Sequence, residues 1–256
     1  MMHYPLVTIV TVVRNDRKHI EKTIFSVLSQ SYKNIEYIVI DGASTDGTMD
    51  VINQYAESID VVVSEPDGGV YDAMNKGISL SHGEYVNFMN SGDFFHDKNV
   101  IEEMYLQGFS KVQRHTVFYG DVNTRYWNGV YREKPHEFFR TPFKFKGIGI
   151  CHQSMFFPGD VIRKMPFNLK YPIAADYDMA LKMYKNGVDF VYCNLIVADY
   201  SWGGGISSNP YGLINVYKEN AKIARQTMHP AYWAKLGIEY YRLWKKLRYR
   251  KEGRTR

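Results

Sequence analysis

The segment from Leu6 to Val13 places the strongest constraint on the fold, because its sequence, LVTIVTVV, is β-branched with few polar breaks. Such a run is typical of a strand buried on both faces of a parallel sheet. Apolar residues then recur at helical spacing, at Ile20, Ile24, Val27 and Leu28. Further short strands are predicted at 35–40, 60–63 and 85–89, with helices between them. This alternation predicts an α/β fold in which right-handed crossovers build a mostly parallel central sheet flanked by helices.

The polar residues at the ends of these strands are the first candidates for a functional site. The second strand ends at Asp41, and the third leads into an acidic loop that contains Asp67. The fourth leads into the turn 90–93, Asn-Ser-Gly-Asp. Open α/β sheets bind ligands at the carboxyl ends of their strands. We therefore expect Asp41 and Asp93 to face a ligand, although an ordinary turn is the alternative for the tetrapeptide taken alone.

The second half of the chain has weaker periodicity. The predicted elements are a helix at 97–107, a strand at 116–119, short strands and loops at 122–150, a strand at 155–157, a helix at 174–184, a strand at 188–192, and two final helices at 209–226 and 232–250. Asp176 lies near the start of the helix 174–184, among small apolar neighbours. A partly desolvated carboxylate there can act as a general base, and a helix-capping acid is the alternative.

The loop after the first strand narrows the choice of cofactor. A dinucleotide site needs G-x-G-x-x-G at this point, but the chain has Arg14-Asn15-Asp16-Arg17, so a nicotinamide or flavin enzyme is disfavoured. Asp41 can still bind a nucleoside. Mg²⁺ is usually held by one or two carboxylates together with substrate phosphates. Asp93 alone can therefore hold a metal if a diphosphate supplies the remaining oxygens.

Composition and the N-terminus favour a cytoplasmic protein. The chain of 256 residues begins MMHYPLVTIVTVV, without the basic start and small-residue cleavage site of a signal peptide. No apolar run approaches the roughly 20 residues of a membrane span. The two cysteines, Cys151 and Cys193, are too few for a disulfide framework.

The positive charge of the chain is concentrated at its C-terminus. Residues 229–256 hold nine of the 32 Lys and Arg residues and two of the 27 Asp and Glu residues, so this tail carries +7 and the rest of the chain −2. Its aromatic and leucine residues form one helical stripe, opposite basic residues. The pattern predicts a helix lying on an anionic membrane surface, with a helix docked on the body as the alternative. We therefore divide the chain into a domain at 1–228 and a basic amphipathic tail at 229–256.

Several stretches together resemble a family 2 glycosyltransferase of the GT-A fold, of the non-processive kind that builds bacterial surface polysaccharides. They are TIVTVVRN at 8–15, DGASTDGT at 41–48, EPDGGVYDAMNKGI at 65–78, MNSGDFF at 89–95 and AADYDMALKM at 174–183. The resemblance implies a Rossmann-like nucleotide-binding domain with a C-terminal helical extension.

The resemblance also implies roles for residues on the donor side. Asp41 contacts the base or ribose of a nucleotide sugar, and Asp67 helps to hold the donor. The pocket wall includes Thr11, Val12 and Arg14. These donor-side roles are what the family resemblance implies, and residue spacing alone does not indicate them.

The metal and the reaction follow from the same resemblance. By this resemblance, Asp93 corresponds to the last aspartate of the D-x-D-type metal motif and binds Mg²⁺ or Mn²⁺. Asn90 stands where the motif usually has a preceding carboxylate, and we group it with the donor-binding residues. Asp176 corresponds to the base that deprotonates the acceptor hydroxyl. His152 lies where such enzymes shape the acceptor pocket, and Trp202 can stack on a sugar ring. A structural histidine and a core tryptophan are the alternatives.

The function expected is inverting transfer of a sugar from a nucleotide-sugar donor to a hydroxyl of a saccharide or lipid-linked saccharide, and the donor expected is a UDP-sugar. One alternative is a sugar nucleotidyltransferase, which requires a Gly-rich loop with Arg or Lys after the first strand. Another is a nucleic-acid-binding protein that uses the basic tail, but the −2 charge of the body argues against it and we expect no nucleic-acid partner.

Overall fold

The computed structural model describes residues 3–111, 115–126, 129–134 and 151–201. It also describes positions 215, 216, 218–220, 222, 223, 237, 238, 241, 242, 244 and 245.

The N-terminal half confirms the predicted alternation of strands and helices. Its strands are β1 (Val7–Val13), β2 (Ile35–Asp41), β3 (Val61–Ser64) and β4 (Tyr85–Phe88), and its helices are α1 (Ile20–Leu28), α2 (Thr48–Asn53) and α3 (Val70–Leu80). The strands lie in the order β3-β2-β1-β4, all parallel. Every side chain of β1 is buried, as its β-branched sequence predicts. The carboxyl ends of the four strands therefore meet at one edge.

The second half continues the same sheet with mixed strand directions. Its strands are β5 (Phe94–Phe95), β6 (Thr116–Tyr126), β7 (Gly129–Glu133), β8 (Met155–Pro158) and β9 (Asp189–Ser201). Beyond β4 the order is β8-β6-β9-β5, with β8 antiparallel to both neighbours and β6 parallel to β9. Its helices are α4 (Val100–Met104), which continues as a π turn at Tyr105–Phe109, α5 (Gly159–Ile162) and α6 (Ala175–Lys185).

Some boundaries in this half differ from the sequence prediction. The strand expected at 188–192 extends to Ser201, because it pairs with β6 along nearly the whole length of that strand. The short strands expected within 122–150 are present as the end of β6 and as β7, while residues 135–150 lie outside the described part. Pairing between strands distant in the chain therefore set these lengths.

The core has two layers, one on each face of the sheet. Val10 and Val12 of β1 pack in the layer that holds α3 and α6. Ile9 and Val13 pack in the layer that holds α1 and α4. The alternation along β1 follows from the two-residue period of a strand, and it leaves the loops after the strands as the polar edge between the layers.

The described positions of the C-terminal segment are helical, and they fall into two groups. Asn220 is 1% exposed and Ile223 is fully buried in the α3–α6 core layer. Ile238 and Tyr241 are instead 52% and 58% exposed. Among the described residues no helix is both long and apolar enough to cross a bilayer. The predicted stripe of the tail consists of Trp233, Leu236, Tyr240, Leu243, Trp244 and Leu247. Of these, Trp244 is described and is 38% exposed, and the other five lie outside the described residues.

Candidate active site

Asp41 ends β2 as a fully buried carboxylate at the polar edge of the sheet. Its Oδ2 accepts hydrogen bonds from the backbone N–H of Ser44 at 3.0 Å and from the Ser64 hydroxyl at 2.6 Å. Its Oδ1 is buried and has no partner among the residues that the structure describes. A buried acceptor without a donor costs about 1–3 kcal/mol. Asp41 therefore presents a fixed oxygen that an N–H or O–H group of a ligand would satisfy.

Arg14 and Asp67 lie against the same loop, next to Gly42. A Cβ atom at Gly42 would collide with the Asp67 carboxylate and would lie 3.2 Å from Arg14 Cδ. Asp67 Oδ1 also accepts the Gly69 N–H at 2.8 Å, in a turn where Gly69 has φ +122°. Gly42 directly follows Asp41, so the structure brings Arg14 and Asp67 together next to the end of β2.

Thr11 and Val12 lie deeper in the sheet than these three residues. The Thr11 hydroxyl is fully buried, donates to the Met89 carbonyl at 2.8 Å and lies 3.0 Å from the Tyr37 hydroxyl. Val12 is 6% exposed, and its carbonyl accepts the Ser91 N–H at 3.1 Å. Both residues therefore support the loops after β1 and β4 from below.

The turn between β4 and β5 holds Asp93 in a buried position with 7% exposure. Asp93 Oδ2 accepts a hydrogen bond from Gln153 Nε2 at 2.8 Å, and its backbone carbonyl accepts the Thr23 hydroxyl at 2.7 Å. Three residues earlier, Asn90 Oδ1 is buried without a described partner. Gly92 between them has φ +94°, a backbone conformation that favours glycine. The turn is therefore tightly held and still offers an unused oxygen.

This pair of oxygen donors fits a hard divalent cation that also takes oxygens from a ligand. Mg²⁺ and similar ions bind carboxylates and amide carbonyls, and the orphaned Asn90 Oδ1 beside Asp93 is a donor of that kind. Within the described ranges, no group of three His, Cys, Asp or Glu side chains could hold a metal. The protein side of such a site consists of one carboxylate and one amide oxygen.

Asp176 lies in the first turn of α6 and is linked to Asn90 through His152. Asp176 Oδ2 lies 3.4 Å from His152 Nδ1, and His152 Nε2 lies 3.1 Å from Asn90 Nδ2. His152 thus contacts Asn90 through Nε2 and Asp176 through Nδ1. The side chains of His152 and Asp176 are 14% and 16% exposed. His152 therefore connects the turn 90–93, which contains Asn90 and Asp93, to Asp176, the candidate base.

Two neighbouring groups remain protonated near this link. Burial and the nearby Asp176 carboxylate raise the pKa of the Tyr71 hydroxyl well above its ordinary value. Burial, with Glu133, Asp176 and Asp93 nearby, raises the pKa of the Cys151 thiol to about 12. Since only a thiolate is strongly nucleophilic, Cys151 is not suited to covalent catalysis.

Other buried carboxylates have cationic partners. Asp121 binds Arg132 and accepts the Tyr192 hydroxyl at 2.9 Å. Asp199 binds Arg125 at 3.0 Å and lies 2.8 Å from His96 Nδ1. These pairs lie on β6, β7 and β9 and have a structural role. Trp202, the remaining acceptor-side candidate, lies outside the described residues.

Sequence reasoning did not assign a role to Ser64 or Gln153, which hold Asp41 and Asp93. Ser64 ends β3 at the same edge as Asp41, so strand alignment could have identified it. Gln153 follows His152 directly, but nothing local indicates that its amide reaches Asp93, 60 residues away.

Comparison with known proteins finds similar glycosyltransferases. The family model described as Glycosyl transferase family 2 matches residues 8–160. A PGL/p-HBAD biosynthesis glycosyltransferase of Mycobacterium tuberculosis is 27% identical over 216 residues, which is 81% of each chain. The putative teichuronic acid biosynthesis glycosyltransferase TuaG of Bacillus subtilis is 44% identical over 92 residues, covering 35% of this chain and 36% of that protein.

Solved structures share the fold. Residues 1–349 of Staphylococcus aureus TarS, in complex with UDP, superpose with a TM-score of 0.67 at 18% identity, covering 92% of this chain and 70% of that one. The mannosyltransferase PcManGT of Pyrobaculum calidifontis, in complex with GDP-Man and Mn²⁺, has a TM-score of 0.65 at 18% identity, covering 93% and 70%. The GT-A fold implied by the sequence resemblance is thereby confirmed.

Proposed function

The chain belongs to glycosyl transferase family 2, and on that premise we propose that it is an inverting, metal-dependent enzyme of surface polysaccharide biosynthesis. It transfers a sugar from a nucleotide donor, a UDP-sugar, to a hydroxyl of a saccharide or lipid-linked saccharide. The observation that carries this proposal is the contact chain from Asn90 through His152 to Asp176. It joins the side that would hold a diphosphate to a carboxylate suited to proton abstraction.

The donor side supports a nucleoside diphosphate as ligand. The orphaned Asp41 Oδ1 can accept a hydrogen bond from an N–H of the base or from a ribose hydroxyl. Arg14 supplies positive charge next to Asp41 and Asp67. Solved structures of the same fold were determined with UDP, UDP-GlcNAc and GDP-Man, which supports a nucleotide sugar in this chain.

The proposed reaction is a single in-line displacement at the anomeric carbon. Asp176 accepts the proton of the acceptor hydroxyl while that oxygen forms a bond to the anomeric carbon from the face opposite the diphosphate. The bond between the anomeric carbon and the diphosphate oxygen breaks, and its electron pair leaves with the nucleoside diphosphate. General base catalysis of this kind contributes about 10²- to 10⁴-fold. Inversion follows because no covalent enzyme intermediate is formed.

Asp93, with the Asn90 amide oxygen, would hold Mg²⁺ or Mn²⁺. When bound, the ion supplies Lewis-acid neutralisation of the charge that develops on the departing diphosphate. Gln153 fixes the orientation of Asp93 by its hydrogen bond to Oδ2. The structure of a related fold with GDP-Man and Mn²⁺ supports the use of a divalent cation.

The acceptor enters on the side of His152 and Asp176, and we include Trp202 on this side as a sugar-stacking residue. We also propose that residues 1–228 form the catalytic domain and that the basic tail 229–256 holds it at the cytoplasmic face of the membrane. The aromatic and leucine stripe of the tail sequence, opposite its basic residues, supports this membrane role.

A donor screen tests the proposed function. The purified protein is incubated with UDP-, GDP- and dTDP-sugars, each with Mn²⁺ or with EDTA, and nucleotide release and thermal stabilisation are followed. We expect one nucleoside class to raise the melting temperature and to release nucleotide only with the metal. If no nucleoside diphosphate stabilises the protein in the presence of metal, the proposal is wrong.

A further inference from the structure

We propose that Glu219 is a positioning residue for Asp176. It lies in a helical segment with described positions from 215 to 223, within the domain 1–228, and this segment, called the C-terminal extension below, completes the active site. The inference rests on the proposed function, because it takes Asp176 as the base. Asp176 and Glu219 both lie beyond residues 8–160, which the family model covers.

Glu219 makes a pair of hydrogen bonds to the backbone just before α6. Glu219 Oε2 accepts the backbone N–H of Ile173 at 3.0 Å and the backbone N–H of Ala174 at 2.9 Å. Ala174 is the N-cap of α6, and it offers no side-chain cap. Alanine is a poor N-cap residue, and the N–H groups at a helix start lack intrahelical partners. Glu219 therefore supplies, from another part of the chain, an acceptor that the local sequence lacks.

The position of the Glu219 carboxylate also has a favourable electrostatic effect. A negative charge at the start of a helix interacts favourably with the partial positive charge of the helix dipole. The helix α6 has 11 residues, long enough for this effect to apply. Glu219 thus stabilises the turn that carries Asp176.

The peptide group between Ile173 and Ala174 is also held at its carbonyl, by a residue of α3. The buried Tyr71 hydroxyl donates to the Ile173 carbonyl at 2.9 Å. Ile173 is therefore bound through its N–H by the C-terminal extension and through its carbonyl by α3. Within the turn that follows, Asp176 Oδ1 accepts the Tyr177 N–H at 2.8 Å. Since the backbone before the base is fixed from two sides, the carboxylate has a defined place relative to His152.

The segment that carries Glu219 is itself anchored in the protein core. Ile223 is fully buried in the core layer that contains Ala174, Ala175 and Tyr177. Residues four apart share one face of a helix, so the buried Ile223 directs Glu219 towards α6. A displacement of about 1 Å at a reacting group can reduce turnover about 10²-fold. The anchored carboxylate is therefore in a position to affect turnover through Asp176.

The test compares Glu219→Ala and Glu219→Gln with the matched control Lys222→Ala, an exposed residue on the same segment. The alanine variant leaves two N–H groups without an acceptor, and we expect kcat to fall about 10²-fold with unchanged donor KM and UDP–Mn²⁺ affinity. The glutamine oxygen can still accept both bonds, so kcat should stay within about fivefold of wild type. Hydrogen exchange of the peptide 170–178 should accelerate in the alanine variant alone.

Unchanged kcat in Glu219→Ala, or equal losses in the alanine and glutamine variants, would overturn the positioning role. If Glu219→Ala does not fold, Glu219→Asp decides, because its side chain is one methylene too short to reach both N–H groups. Its kcat should fall about tenfold with donor affinity retained, and full kcat would overturn the inference. Wild-type protein that transfers no sugar contradicts the proposed function instead, so the two failures are distinguishable.

Discussion

The proposed donor side and the proposed base side of the site are built in different ways. Asp41 and Asp67 follow neighbouring parallel strands, and Gly42 brings Asp67 against the loop that follows Asp41. The base side instead combines Asn90, His152 and Asp176, which come from three separated segments. The donor side thus depends on parallel strand alignment, whereas the base side depends on contacts between remote parts of the chain.

This difference predicts that substitutions on the two sides affect different steps. A site made at strand ends is rigid before a ligand binds, because the sheet fixes its backbone. The base side can be displaced by changes in any of its supporting segments. We therefore expect substitutions on the donor side to weaken binding and substitutions on the base side to reduce turnover.

Replacing Asp176 by asparagine gives the largest expected effect. The amide cannot accept the acceptor proton, so turnover should fall about 10²- to 10⁴-fold while UDP–Mn²⁺ affinity, measured by calorimetry, stays the same. The matched control is Asp178→Asn on the same helix, which removes the ion pair with Lys182 and should keep turnover. If Asp176→Asn retains full turnover, Asp176 is not the base.

Replacing Asp41 by asparagine should act on binding. Hydrogen bonds to charged groups contribute about 1.5–3 kcal/mol, so the donor Kd should rise about 10- to 100-fold, with a smaller change in kcat. Asp60→Asn serves as the control, because Asp60 accepts the Tyr37 N–H at 2.7 Å near the opposite end of β2. Unaltered affinity in Asp41→Asn would remove Asp41 from the nucleotide site.

His152 contacts both Asn90 and Asp176. The variant His152→Gln therefore tests whether this residue acts on turnover, as we expect for the base side, or on donor binding. Loss of its contact with Asp176 should reduce kcat about tenfold and leave donor affinity near that of wild type. The exposed His82, which pairs with Glu36 at 2.6 Å, provides the control variant His82→Gln. A larger effect on donor Kd than on kcat would assign His152 to the donor side.

Deletion of residues 230–256 should have the smallest effect on the cleft. Turnover with a water-soluble acceptor should stay unchanged, because Glu219 and Ile223 remain in place. Binding to vesicles that contain anionic lipid should be lost, since each basic residue near such a surface contributes about 1 kcal/mol. Co-sedimentation measures this binding, and equal binding of the truncated protein would contradict the membrane role of the tail.

Several features could be predicted from local sequence. The runs at 6–13 and 35–40 predicted β1 and β2 because their apolar pattern repeats over neighbouring residues. The length of β9 could not be predicted in this way, because it pairs with the distant β6 along most of its residues. Local patterns therefore predicted the parallel half better than the mixed half.

The same distinction applies to the site. Asp41, Asp93 and Asp176 were identified as candidates from strand ends, a helix start and the family resemblance. Nothing near residue 219 indicates that its carboxylate reaches α6, and nothing near residue 153 indicates contact with Asp93. These side-chain hydrogen bonds join segments 45 to 60 residues apart, so no local sequence pattern predicts them.

The amino-acid sequence by itself thus determined the alternating strands, the polar strand ends and the types of residue available for chemistry. The tertiary structure decided which of these residues meet. Among the residues that the structure describes, one oxygen of Asp41 and one of Asn90 have no hydrogen-bond partner, and His152 lies between Asn90 and Asp176. The physical reason is that strand and helix formation depend on neighbouring residues, whereas side-chain contacts depend on how the completed sheet and helices pack.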